Sequence, residues 1–154
     1  MNEADYTKIT YDYPVAAAKA FAGLHEGFNF VYMSGEGASS DEKGQLFARV
    51  KGRAENELLR LQDTLNVYNI RPAIINPQGK YLAERNTTLQ DRASTLLGGL
   101  AGFVWKSFVI PTDKLAKACI DLAIGDGKPI PAGPGVEAEG RLLRNTALRR
   151  LAGM

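Results

Sequence analysis

Apolar residues recur along this chain with two different periods. At Phe47, Val50, Ala54, Leu58, Leu61 and Leu65 they step by three and four, which returns each to one side of a helix and predicts a long helix over 43–63. The run FNFVYMSG, 28–35, is instead almost continuously apolar. It is rich in aromatic and β-branched residues and ends in glycine, which predicts a strand buried on both faces. NVYNIRPAIINP, 66–77, predicts a second strand, with Arg71-Pro72 at its end or edge because proline has no N–H to offer a neighbour.

Turn and cap residues punctuate the rest. Asp12, Pro14 and Gly23 frame a helix over 13–23 as cap, first-turn residue and stop. EGASSDEKG, 36–44, predicts a loop, and residues 86–104 a helix with a glycine-rich second half. Thr112 is placed to cap a helix whose apolar positions Leu115, Ala118, Cys119, Leu122 and Ala123 run up to Gly125. DGKPIPAGPG, 126–135, predicts a surface loop, and a last helix is expected over 140–152. Helices alternating with short buried strands, with few hairpin signals, predict an α/β fold with a parallel sheet. Two strands alone make a poor sheet, so the pattern predicts an incomplete one.

Composition narrows the function. The 154 residues suit one domain, 1–154, and 45% hydrophobic with 23% charged residues is ordinary for a soluble globular chain. A net charge of +2 with scattered basic residues argues against nucleic acid as a partner. Arg141, Arg144, Arg149 and Arg150 form a basic stretch whose default reading is a solvated helix face, ahead of a phosphate site. Cys119 is the single cysteine, in the apolar setting LAKACIDLAI; it fits a buried, inert thiol in a reducing compartment and an expected cytoplasmic location. His25 is the single histidine, which leaves no His-based metal site and one candidate base for a catalytic triad. The opening MNEADYTKITYDYP is polar and acidic and predicts no secretory leader. STLLGGLAGFVWKSFVIP, 94–111, is the most apolar run. Lys106, its glycines and Pro111 favour a buried helix and a short extended piece over a membrane span, which needs about 20 mostly apolar residues.

One ordered set of segments carries a resemblance. FVYMSGEGAS, FARVKGRAENELL and VYNIRPAIINP, with TYDYPVAAAKAFAGL before them and EGRLLRNTALRRLAG after, resemble the C-terminal portion of an atypical, extended short-chain dehydrogenase/reductase. More narrowly, they resemble the fungal NAD(P)-binding, nucleoside-diphosphate-sugar epimerase-like proteins. The resemblance implies an α/β fold that is the C-terminal part of a Rossmann-type parallel sheet with flanking helices, its N-terminal strands missing. It implies NAD or NADP as cofactor, a catalytic serine at Ser34, and a tyrosine–lysine pair four apart on the next helix. Positions i and i+4 share a helix face, so the lysine ammonium lowers the tyrosine pKa and holds the nicotinamide ribose while the phenol moves a proton. Lys51 matches the lysine, but Phe47 stands at the tyrosine position and has no proton to move. Tyr32, two residues before Ser34, is the candidate substitute. Pro72 follows the strand that borders the nicotinamide pocket in relatives. The glycine-rich pyrophosphate loop has no match. SGEGASS offers Gly35 and Gly37, but Ser40 stands where the third glycine belongs and Glu36 where phosphate would approach.

The same residues also have plainer readings. Lys51, between Arg49 and Arg53, fits a snorkelling surface lysine. Ser34 fits a strand-end cap, and Arg71-Pro72 a simple terminator. Two functional expectations follow. One is an NAD(P)-binding dehydrogenase/epimerase-like protein impaired in catalysis. The other is a non-catalytic fragment or interaction module, with a homodimer through helices 13–23 and 43–63, where AAAKAFAG permits close approach. In either case an unneighboured strand edge at 28–35 is a liability.

Overall fold

A computed structural model describes residues 2–24, 27–78 and 106–154. The expected helix over 86–104 and the candidate base His25 lie outside the described residues. The chain enters as one helical run made of α1 (Glu3–Thr7), a π-helical turn over Lys8–Asp12, and α2 (Tyr13–Ala22). Then come β1 (Phe28–Met33), α3 (Leu46–Leu59), β2 (Leu65–Arg71) and β3 (Ile74–Asn76). After the undescribed segment follow β4 (Val109–Pro111), α4 (Thr112–Ile124), β5 (Val136–Glu137), β6 (Leu142–Arg144) and α5 (Asn145–Leu151).

The main sheet has the order β1-β2-β6-β5, and β3 with β4 forms a second, two-stranded sheet. β1 pairs in parallel with β2, from Phe28 opposite Leu65 to Met33 opposite Ile70, and β2 pairs in parallel with β6. The short β5 joins β6 antiparallel. This is a mixed α/β fold with a mostly parallel sheet, as the alternation of helices and buried strands implies. Successive strand residues face opposite sides, and helices cover both. Phe30, Tyr32, Leu65 and Val67 pack against Val15, Ala18, Ala54 and Leu58 of α2 and α3. Val31, Tyr68, Ile70 and Leu143 pack against Leu115, Ala118, Leu122 and Leu148 of α4 and α5.

Several expectations need correction. Four strands in the main sheet replace the expected two, because Leu142–Arg144 is extended and the last helix starts only at Asn145. Its three residues are too few to show a strand period. The first helix starts at Glu3, not near residue 13, where the Asn2 side chain accepts the Asp5 N–H at 2.8 Å; Asp12 caps nothing. Pro14 therefore sits within the run, without an N–H to return to the Thr10 carbonyl four residues back. The Tyr32 hydroxyl donates to that carbonyl at 2.9 Å. Thr112 is the first residue of α4 and not its cap, and its hydroxyl donates to the Asn76 carbonyl at 3.1 Å. Pro72 does end β2, and the chain resumes as β3 two residues later. Phe47 is not on the buried stripe of α3: it is 41% exposed, while Val50, Ala54 and Leu58 are buried.

α3 also carries a glycine in its middle, which costs helix stability unless something requires it. A Cβ on Gly52 would stand 1.7 Å from the Ser39 carbonyl oxygen. The loop after β1 lies directly on the helix there, with the Ser39 N–H donating to the Ala48 carbonyl at 2.9 Å.

Candidate functional site

In parallel α/β sheets the carboxyl ends of the strands and the loops after them form the usual ligand crevice. Here those ends are Ser34 to Gly37 after β1, Pro72 and Ala73 after β2, and Arg144 with Asn145 after β6. The two outgoing chains stay paired past the strands: the Ser34 N–H donates to the Ile70 carbonyl at 2.8 Å and the Glu36 N–H to the Pro72 carbonyl at 2.9 Å. Pro72 is thus buried at this rim and supplies an acceptor.

Lys51 reaches the same rim from α3. Its ammonium donates to the Met33 carbonyl at 3.3 Å and to the Ser34 carbonyl at 3.2 Å, and lies 5.7 Å from the ring centres of both Tyr32 and Phe47. Burial pulls its pKa below the ordinary lysine value, and the Glu55 charge opposes that pull. A snorkelling surface lysine is therefore not what the fold makes of it. The Ser34 hydroxyl is the reverse case: the residue is 7% exposed and its Oγ has no hydrogen-bond partner among the described residues. A buried hydroxyl without a partner forfeits free energy, which makes Ser34 a candidate for a polar contact from outside the described residues.

The structure brings Ser34, Phe47, Lys51 and Pro72 into one neighbourhood at the strand ends. Lys51 bonds the Ser34 carbonyl and not its hydroxyl. The Phe47 ring fills the concave side of the loop: a Cβ on Gly35 would meet it at 3.2 Å and one on Gly37 at 3.8 Å. Tyr32 does not replace the missing phenol. Its hydroxyl is committed to Thr10, and burial pushes its pKa far above the ordinary tyrosine value, with the Glu55 charge adding to the shift. Nor is the Gly35–Gly37 turn open to a phosphate. Its Glu36 carboxylate is held by Arg144 Nη2 at 2.5 Å and Nε at 2.8 Å.

Two features of the site escaped the sequence reading. The Glu36–Arg144 pair joins residues 108 apart, a distance no local pattern reveals. The other is a buried ion pair below the rim: Arg71 Nε donates to Glu55 at 2.9 Å and Nη2 at 2.5 Å, while Nη2 also reaches the Ser40 hydroxyl at 2.9 Å. Its signal was present, because Glu55 stands beside Ala54 on the apolar side of α3, where an unpaired charge would be costly. The basic C-terminal stretch is solvated only in part, at Arg144 and Arg150. Arg141 is buried over the Tyr68 ring, Arg144 holds Glu36, and Arg149 donates to the Val109 carbonyl. Cys119 is half-buried, and burial pushes its thiol pKa up, as an inert thiol requires. Among the described residues no group of three metal-ligating side chains comes together, and no helix is long and apolar enough to cross a membrane.

The chain matches no protein-family model. It is 37% identical to the botcinic acid biosynthesis cluster B protein 16 of Botryotinia fuckeliana, over 90% of this chain and 97% of that protein. It is 31% identical to the leucinostatins biosynthesis cluster protein T of Purpureocillium lilacinum, over 96% of this chain and 63% of that longer protein.

Proposed function

Because the chain belongs to the family of the botcinic acid biosynthesis cluster B protein 16, we propose that it serves a biosynthesis cluster as a short-chain dehydrogenase/epimerase-like protein that binds NAD or NADP and lacks the acid–base partner of active members. In this reading the main sheet is the substrate-facing part of a Rossmann-type sheet. The observation that carries it is the buried Ser34 hydroxyl, without a partner among the described residues, beside a half-buried lysine ammonium at the carboxyl ends of two parallel strands.

The residues fit the nicotinamide end of such a cofactor. An ammonium has three donors, and Lys51 uses two of them on carbonyls, which leaves one for a ribose hydroxyl. The Ser34 hydroxyl supplies a donor and acceptor that no described residue uses. The fit does not extend to the pyrophosphate, for which the described residues offer no glycine turn; the nearest one is filled by Phe47 and closed by the Glu36–Arg144 pair. A bound nicotinamide supplies hydride transfer, which these residues orient but cannot assist with a proton, because Phe47 has none. The protein is thus a binder with impaired catalysis.

Calorimetric titration of the full chain with NADH and NADPH tests this. Saturable binding is expected for one of them, weakened at least tenfold by Lys51→Met and severalfold by Ser34→Ala, with no turnover of a carbonyl panel. Absence of binding to either dinucleotide would overturn the cofactor reading; turnover by the unaltered chain would overturn the impairment.

A further inference from the structure

β1 is an edge strand among the described residues, and its own sequence carries none of the residues that usually protect an edge. Native edges carry charges, prolines or bulges that discourage pairing. FNFVYM has no charge and no proline. The Ser34 N–H points to β2, so by alternation the amides of Asn29, Val31 and Met33 point to the open side.

Exposed apolar side chains gather where this edge begins. Phe28 stacks on Phe21 of α2 with ring centres 4.8 Å apart, and both remain partly exposed. Leu24, just past α2, is 75% exposed. On the other face the Asn29 amide donates to the carbonyls of Ala123 at 3.2 Å and Gly125 at 2.9 Å. That anchors the last turn of α4 beside β1, with Ile124 there 78% exposed and Ile120 one turn earlier also exposed.

We propose that this edge is where a second copy of the chain docks, β1 against β1, antiparallel about a twofold axis. Such an axis brings a surface against itself, so any net charge on it would repel; the strand carries none. Centring the pair on Val31 sets Asn29 of each copy opposite Met33 of the other, so all three open residues find partners. Met33 is itself exposed and shares a face with Asn29, so it meets the other copy's α4 end, where Ile124 is exposed. Weighted by exposure, the six side chains Phe21, Leu24, Phe28, Met33, Ile120 and Ile124 offer about 550 Å² per copy, taking roughly 170 Å² for a large apolar side chain. The pair would bury about 1,100 Å², at the threshold for a specific interface, before the strand backbone is added. This face shares α2 with the helix pairing expected from the sequence but replaces α3 by β1 and α4. It requires no cofactor.

Sedimentation velocity of the full chain across a concentration series tests the proposal. The expected species is twice the 16.7 kDa protomer and nothing larger, because the twofold consumes the edge. Leu24→Glu with Ile124→Lys should weaken the dimer at least tenfold with an unchanged circular dichroism spectrum, as should Ile120→Lys alone to a lesser degree. Arg53→Ala and Arg60→Ala, on the outer side of α3, should leave it intact. A monomer at every concentration, an open-ended series of larger species, or a dimer broken by the α3 variants and not by the edge variants would each overturn it.

Discussion

Replacing Glu55 by glutamine removes one charge from a pair that water scarcely reaches. Glu55 is fully buried and Arg71 nearly so. Glutamine keeps the shape and can still accept one hydrogen bond, but the guanidinium is left without a counter-charge. Removing one partner of a buried pair costs about 3–5 kcal/mol, because the surviving charge stays desolvated. That is a large share of the roughly 5–15 kcal/mol that holds a domain folded. At about 2–4 °C per kcal/mol for a chain of this size, melting should fall by roughly 6–20 °C. Urea unfolding followed by circular dichroism gives the free energy directly. The double variant Glu55→Leu, Arg71→Met should recover most of the loss, since apolar replacement of both partners is often neutral. The resulting double-mutant cycle separates pairing from packing. A loss below about 1 kcal/mol in Glu55→Gln would refute the reasoning and mean that the pair is solvated in solution.

Two further outcomes rest on single contacts. Intrinsic propensity predicts that Gly52→Ala in α3 gains about 1 kcal/mol. The Ser39 carbonyl standing 1.7 Å from the new Cβ reverses the sign, and a loss of about 2–3 kcal/mol in the same urea assay is expected; a gain would show that the loop does not lie on the helix. Tyr32→Phe should cost about 1–3 kcal/mol by stranding the Thr10 carbonyl, and Pro14→Ala in that background should return part of it by restoring an N–H. The Tyr32 pKa is raised on folding from an ordinary value of 10.0. The unfolded chain therefore loses this proton first: Tyr32's contribution to stability is complete below about pH 10 and declines as pH rises above it. Unfolding curves at about pH 9 and pH 11, for the unaltered chain and for the Tyr32→Phe variant, should differ less at the higher pH, and an unchanged difference would count against the assignment.

Much of the fold was legible because β1, β2, α3 and α4 are long enough to display a period. Leu65–Arg71 is buried along nearly its whole length, and its Leu65, Val67, Tyr68 and Ile70 supply the apolar and β-branched content of a strand. Asn69 is tolerated there because its amide donates to the Glu55 carbonyl at 3.2 Å. What was not legible is short or distant. β5 and β6 hold two and three residues, below any period. Asn2 outcompetes Asp12 as a cap because helix entry depends on backbone conformation, and Asp12 is already helical. At the site, Ser34 and Lys51 came together only through the resemblance; spacing alone set Lys51 one turn after Phe47 on a helix. It placed Phe47 on the core stripe, where the loop's two glycines instead draw its ring outward over the rim.

The loop after β1 is fastened at several points. Ser39 is bonded to Ala48, the Ser40 hydroxyl to Arg71, the Ser40 carbonyl to Asn56 at 2.9 Å, and Glu36 to Arg144. Such a segment cannot swing like a hinged door. On the proposed reading, a molecule bound at Ser34 would meet a frame set by these bonds, so its affinity would be governed by fit and not by movement of this loop.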